Sequence, residues 1–382
     1  MSTQSITAML GVLLVVLGSK HLPAQRFEST GTLTYTNTFK DGRVLQAGSI
    51  AFRVVVDAPR WFIRIEYPKP KDPAQPSLEY SETGCDGRDV FHIAHSRTIP
   101  GAARRSTDKN ETGFVCEGSF PEPDSLFGKT LWLAFASSSY FEEHGVGVMP
   151  SILPFAPTNL VHIRTKITPD GTGPSRFELL LPGYRQLSSR PATGTPGEPV
   201  MRMYPPPYDT GYVAAVFTIL QTTNVGGVSV PLDFVFDHFI VDTGFKTNSR
   251  LHLADHLVGR VATAGAPVES VPFPEIRTDA WVHDGRFTNL LGKVLSYECT
   301  NRQWLSRHEP LLADKAKQID KDEKRHITRL DQGTAFTRRL FLMVLVAVAL
   351  LPPIFLLSRK WERGQVSRNQ EKSPLTKKEH QQ

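Results

Sequence analysis

Apolar positions along this chain fall into two unbroken runs, one near each end, and a long middle in which they alternate. Residues 6–18 (ITAMLGVLLVVLG) form the first run and residues 340–357, eighteen positions without a charge, form the second. Between them a period of two dominates, as in strands that bury one face. Gly31–Phe39 and Gly48–Val56 alternate, and Asp57-Ala58-Pro59 marks a turn. In Arg60–Tyr67, Trp61, Ile63 and Ile65 share one face against Arg60, Arg64 and Glu66. Leu78–Ser81, a turn at Asp86-Gly87 and Asp89–Ala94 continue the series. The pattern predicts an antiparallel meander with one apolar face and one wet face. Residues 99–120, rich in Gly, Ser and charge, read as loop.

Asp124–Glu143 changes period. Leu126, Leu131, Trp132, Phe135 and Phe141 recur at helical spacing and Asp124 can cap the start, so one helix is predicted. Strands resume at 160–167 and 176–181, then 212–223 and 228–240 around Asn224-Val225-Gly226-Gly227, a hairpin signal. Further short strands are expected at 259–264, 280–287 and 293–299. His308–Arg329 is highly charged, with Leu312, Ala316 and Ile319 at helical spacing, and reads as a stalk helix. The fold class is therefore mainly β (α+β): a curled antiparallel sheet or half-barrel with one packed helix, then a stalk helix and one C-terminal transmembrane helix.

The two end runs set topology. The first has the length of a signal-peptide core, with Ala24 before the cleavage point, although no Lys or Arg precedes it; an uncleaved anchor and a buried helix are the alternatives. At ~1.5 Å per residue the second run reaches ~27 Å, close to a hydrocarbon core. Five basic residues flank it on each side, so charge alone gives no orientation. Export of the middle makes the tail cytoplasmic. The expected organisation is a signal peptide at 1–24, an exported β-rich domain at 25–304, a charged stalk at 305–339, a transmembrane helix at 340–357 and a basic tail at 358–382. This places the chain in the cell membrane with its main domain outside the cytoplasm.

The net charge of +6 is partly an end effect, because the tail holds seven basic residues against three acidic ones. The domain is near neutral, which argues against a nucleic-acid partner. Three cysteines are present. Cys85 (GCDG) and Cys116 (VCEG) are the disulfide candidate, with a pairing of either to Cys299 as the alternative. No C-x-x-C exists and no cofactor or metal site is signalled. His92 and His95 would point to opposite faces of a strand, and His252-Leu-Ala-Asp-His256 lacks the Glu of H-E-x-x-H. Asp233, Asp237 and Asp242 are the acids on which a membrane-tethered hydrolase could be built.

The pieces FRVVV, DAPRW, FIRIEY, the Asp86-Gly87 turn and DVFHIA, all within residues 48–94, resemble the opening of the periplasmic lipoprotein-carrier (LolA/LolB-type) fold. The resemblance implies a sheet curled around an apolar cavity with helices as a lid, and places the 124–143 helix where a lid would sit. The expected function is a non-enzymatic, membrane-anchored domain that binds an apolar ligand or an envelope protein. Its candidate contacts are Trp132, Phe135, Phe141 and Phe155, and its C-terminal helix partners membrane lipid. A hydrolase and a scaffolding protein with an oligomerising stalk are the alternatives.

Overall fold

In the computed structural model, the described residues are 25–70, 72, 77–97, 111–121, 125–145, 147–150, 160–167, 174–187, 200–242, 250–288, 294–318, 321, 324 and 325. Contacts divide the chain into residues 1–288 with 294–309, and residues 289–293 with 310–382. In the second unit, 310–318 is helical, where the stalk was expected. The apolar runs at 6–18 and 340–357 and the tail lie outside the described residues. Among the described residues no helix is long and apolar enough to cross a membrane.

The first unit is built on one open sheet of fourteen strands, ordered β16-β15-β6-β5-β4-β3-β2-β1-β14-β13-β12-β9-β8-β7. A twisted sheet of this width curls rather than staying flat. The chain enters at the centre with β1 (Arg26–Thr38) and builds outward through β2 (Val44–Asp57), β3 (Arg60–Glu66), β4 (Leu78–Cys85), β5 (Asp89–Ser96) and β6 (Glu111–Glu117). It then builds the other wing: β7 (Val148–Pro150), β8 (Leu160–Ile167) and β9 (Pro174–Leu181), followed by β12 (Tyr212–Val225), β13 (Val228–Asp242) and β14 (Arg250–Gly265), which closes on β1. β10 (Tyr184–Leu187) and β11 (Val200–Met203) form a separate ribbon. Finally β15 (Ala280–Thr288) joins β6 in parallel and β16 (Val294–Cys299) forms the edge. The pure meander is thus corrected: β15 can pair in parallel because residues 266–279 cross the sheet first.

Several local expectations hold. Asn224 Oδ1 accepts from Gly227 N–H, and Gly226 and Gly227 take positive φ, which closes the β12–β13 hairpin. Asp86 Oδ1 accepts from the N–H groups of Arg88 and Asp89 in the Asp86-Gly87 turn. Others are corrected. Residues 111–117, read as loop, form β6. The segment 252–256, with histidines at the i, i+4 spacing of a helix face, lies inside β14. The single helix is two: α1 (Leu126–Phe135), capped by Ser125 rather than Asp124, and α2 (Ser137–His144), with the break at Ala136.

The front face of the sheet carries the main core. Along β3 the predicted apolar side, Trp61, Ile63 and Ile65, is buried there with Phe27, Leu33, Phe52, Phe217, Phe234, Phe236 and Leu257. α1 lies on this face. Phe135 meets Phe27, Phe52 and Phe234 with ring centroids 6.3, 5.9 and 5.7 Å away. Gly259 lies beneath Phe234, where any Cβ would overlap the ring.

The back face is not wet over β3–β6. Residues 266–279 form a strap across it. Phe273 and Trp304 pack edge-on against Phe91 at 4.7 and 5.3 Å, and Trp304 Nε1–H donates to Pro274 O. Three glutamates hold the strap, each with one oxygen for a sheet side chain and the other for strap N–H groups. Glu28 takes Arg53 and Val268 N; Glu82 takes Arg64 and Glu275 N; Glu111 takes His95 and the N–H groups of Arg277 and Thr278. The polar positions that suggest solvent along β1–β4 instead bind a second layer of chain, which removes their desolvation cost.

Candidate functional site

Rungs of directly paired residues cross the front face, and their chemistry changes from one to the next. One rung, Phe217, Phe236, Leu257, Tyr35 and Gly48, belongs to the apolar core. Tyr35 packs against Phe127 of α1 with ring centroids 4.9 Å apart. The next rung outward is Ala215, His238, Asp255, Asn37 and Gln46, one residue from each of β12, β13, β14, β1 and β2. Here Asp255 accepts from His238 Nδ1–H at 2.7 Å and from Asn37 Nδ2–H at 2.7 Å, and Gln46 Nε2–H donates to Tyr35 Oη at 3.1 Å. His238 is 3% exposed. The apolar face therefore ends in a hydrogen-bonded polar edge near the start of α1.

The candidate contacts Trp132, Phe135 and Phe141 all lie in this core. Trp132 packs edge-on against Phe120 at 5.0 Å and donates to Ser119 O, and Phe141 stacks on Phe177 at 5.6 Å. Phe155 lies outside the described residues. α1 covers the apolar face with few polar groups of its own, Lys129 being its one charged residue, whereas α2 adds Tyr140 and Phe141 to the core and is otherwise polar.

The proposed disulfide is not formed, and Cys85, Cys116 and Cys299 are all thiols. Cys85 pairs with Val90, which pairs in turn with Cys116. A whole strand separates the two sulfurs, so their Cα atoms are roughly 10 Å apart, beyond disulfide reach. Burial pushes the Cys85 thiol up to about 12, which makes it a poor nucleophile.

The acids proposed for hydrolysis meet separate partners. Asp237 binds His256 at 2.6 Å, Asp242 binds Lys40 at 2.7 Å, and Asp233 pairs with Arg260 across β13–β14. His92 and His95 do point to opposite faces: His92 meets Thr83 on the front, and His95 meets Glu111 on the back. No group of three or more His, Cys, Asp or Glu among the described residues is placed to hold a metal. Sequence reasoning missed the partnership of His238 with Asp255 and Asn37. The three residues lie on three strands, and only their register brings them together.

A second polar cluster lies on the back face. Arg286, 2% exposed at its side chain, binds Asp284 at 2.6 Å and Asp89 at 3.2 Å. Burial alone would lower its pKa, but hydrogen bonds to Asp284 and Asp89 outweigh it and raise the value. The cluster joins β5 to β15 and is structural in geometry: its charges are spent on one another.

No family model and no curated protein matches the chain. Solved structures do. One is a LolA superfamily protein from Nitrosomonas europaea, 10% identical, with a TM-score of 0.32 over 66% of this chain and 89% of that one. Another is a DUF1329 family protein from Desulfovibrio piger, 9% identical, with a TM-score of 0.25 over 69% of this chain and 94% of that one. The first belongs to the superfamily that residues 48–94 resemble.

Proposed function

We propose that this chain is an exported binding domain for an apolar ligand, anchored in a membrane by residues 340–357, and that it works without catalysis. One observation carries the reading. A broad aromatic sheet face is closed by two short helices rather than by a second sheet, and α1 meets that face almost wholly through apolar side chains. A cover of that kind is joined to the sheet mainly by packing, which packing to a lipid chain can replace, and hydrogen bonds such as Ser138 Oγ–H to Gln25 Oε1 can pass to water as it lifts. Trp132, Phe135 and Phe141 would exchange sheet aromatics for ligand as the helices lift. An envelope protein presenting an acyl chain is the same ligand on a larger carrier.

The test uses the full chain, expressed with its N-terminal segment, extracted in mild detergent and released from micelles in native mass spectrometry. A lipid-sized mass retained by the protein, or gained on adding oleic acid, is the expected result. An apo mass under both conditions overturns ligand binding. Anchoring is tested separately. The chain should stay in the membrane pellet after alkaline carbonate washing, and deletion of 340–357 should release it.

A further inference from the structure

We infer that the polar rung at the Tyr35 end of the front face is a headgroup site that selects amphiphiles with an uncharged, hydroxyl-bearing headgroup. The inference rests on the apolar-ligand reading above and adds what the ligand carries at its polar end.

The argument begins with placement. The rung Ala215–His238–Asp255–Asn37–Gln46 directly follows the apolar rung Phe217–Phe236–Leu257–Tyr35–Gly48 on the same face. With strands ~4.8 Å apart, His238 and Asn37 stand ~10 Å from one another. Tyr35 belongs to both environments: its ring packs on Phe127 of α1 and its hydroxyl accepts from Gln46. A chain lying where α1 lies would present its end to this edge.

Next comes what the rung has left to offer. The His238 ring meets Asp255 through Nδ1, which leaves Nε2 as its second hydrogen-bonding atom. Gln46 spends an N–H on Tyr35 and keeps its carbonyl oxygen. Tyr35 keeps its hydroxyl proton, and Asn37, having given one N–H to Asp255, keeps the other. The edge thus offers acceptors and donors side by side, which a hydroxyl group, both donor and acceptor, can satisfy.

Charge narrows the class. Asp255 is the one acid of the rung, and the rung contains no Lys or Arg. The basic residues at the neighbouring β1–β2 turn are engaged elsewhere: Lys40 binds Asp242 at 2.7 Å and Arg43 binds Asp41 at 2.6 Å. An anionic headgroup would meet a carboxylate with no Lys or Arg of the rung to offset it. A cationic headgroup would have to share the rung's one carboxylate, Asp255, with Asn37 and His238. A neutral polyol headgroup meets neither obstacle, and few, well-placed polar groups at the end of an apolar site are how orientation is set.

The experiment titrates the full-length protein in detergent, by native mass spectrometry, with three probes that share one acyl chain: 1-oleoylglycerol, methyl oleate and oleate. Wild type should hold 1-oleoylglycerol roughly tenfold more tightly than methyl oleate, the worth of one or two hydrogen bonds. Oleate should gain nothing over the methyl ester. In His238→Phe and Gln46→Leu that preference should fall toward parity while methyl oleate binding is unchanged. Gln46 is exposed, so its variant decides the matter if His238→Phe fails to fold. Equal binding of all three probes by wild type, a preference for oleate, or a preference that survives both substitutions overturns the headgroup site and leaves the apolar-ligand reading standing. Binding of none of them overturns that reading, and the headgroup site with it.

Discussion

His95 donates Nδ1–H to Glu111 Oε1 at 2.8 Å, and the other oxygen of the same carboxylate holds the strap through the N–H groups of Arg277 and Thr278 at 3.0 and 3.1 Å. One side chain thus ties β5 and β6 to the chain that crosses over them. Burial works to raise the Glu111 pKa, but these hydrogen bonds prevail and hold it below its ordinary 4.5. A depressed carboxyl contributes stability that is fully present above the unfolded value and is lost as pH falls through the lower folded value. The strap should therefore stay closed at pH 5 and loosen only below the ordinary glutamate range. Hydrogen exchange at the Arg277 and Thr278 amides checks this. Loosening between pH 6 and 7 would assign control to another group. Glu111→Gln should cost about 1–3 kcal/mol at neutral pH.

Trp304 and Pro274 need bare backbone beneath them. A Cβ at Gly113 would stand 2.9 Å from the Trp304 ring, and one at Gly84 would stand 2.8 Å from Pro274 Cδ. Gly113→Ala and Gly84→Ala should each destabilise by about 1–3 kcal/mol, as overpacking does. Gly147→Ala, whose Cβ meets nothing within 4 Å, is the control. Thermal melts followed by tryptophan fluorescence would show the difference, and equal melting of all three would refute the tight fit.

Phe135 stands among three sheet aromatics, so Phe135→Ala should cost roughly 3–5 kcal/mol in denaturant unfolding. A cost under 1 kcal/mol would mean that α1 contributes little to closing the front face.

The cysteines give a direct chemical count. Denatured without reductant, the protein should expose three titratable thiols. In the native state Cys85, buried and pushed up to about 12, should not react with iodoacetamide at pH 8. A count of one thiol would restore a disulfide and contradict the intervening strand.

Much of the architecture is legible along the chain because its signals are local. The alternation of Trp61, Ile63 and Ile65, and the Gly226-Gly227 turn, each depend on a few neighbouring residues. β6 was obscured because its two glycine-and-acid ends, Glu111, Gly113 and Glu117, resemble a loop; Gly113 is there for Trp304, nearly two hundred residues on. The helix break at Ala136 escaped for a similar reason, since apolar spacing runs on through Phe141 while the backbone turns.

The candidate site divides the same way. Sequence alone marked Trp132, Phe135 and Phe141 as apolar positions at helical spacing, because hydrophobic spacing is a property of the segment itself; the structure divides them between α1 and α2 and buries all three in the core. Length and lack of charge are local too, and on them rests the expectation of export and membrane signals in the end runs, which lie outside the described residues. Only the tertiary structure decided that Cys85 and Cys116 are kept apart by β5, that the face bearing Glu82 and Glu111 is covered, and that His238, Asp255 and Asn37 share one rung. Those outcomes depend on strand order and register, and a shift of one residue would carry each of these side chains to the other face.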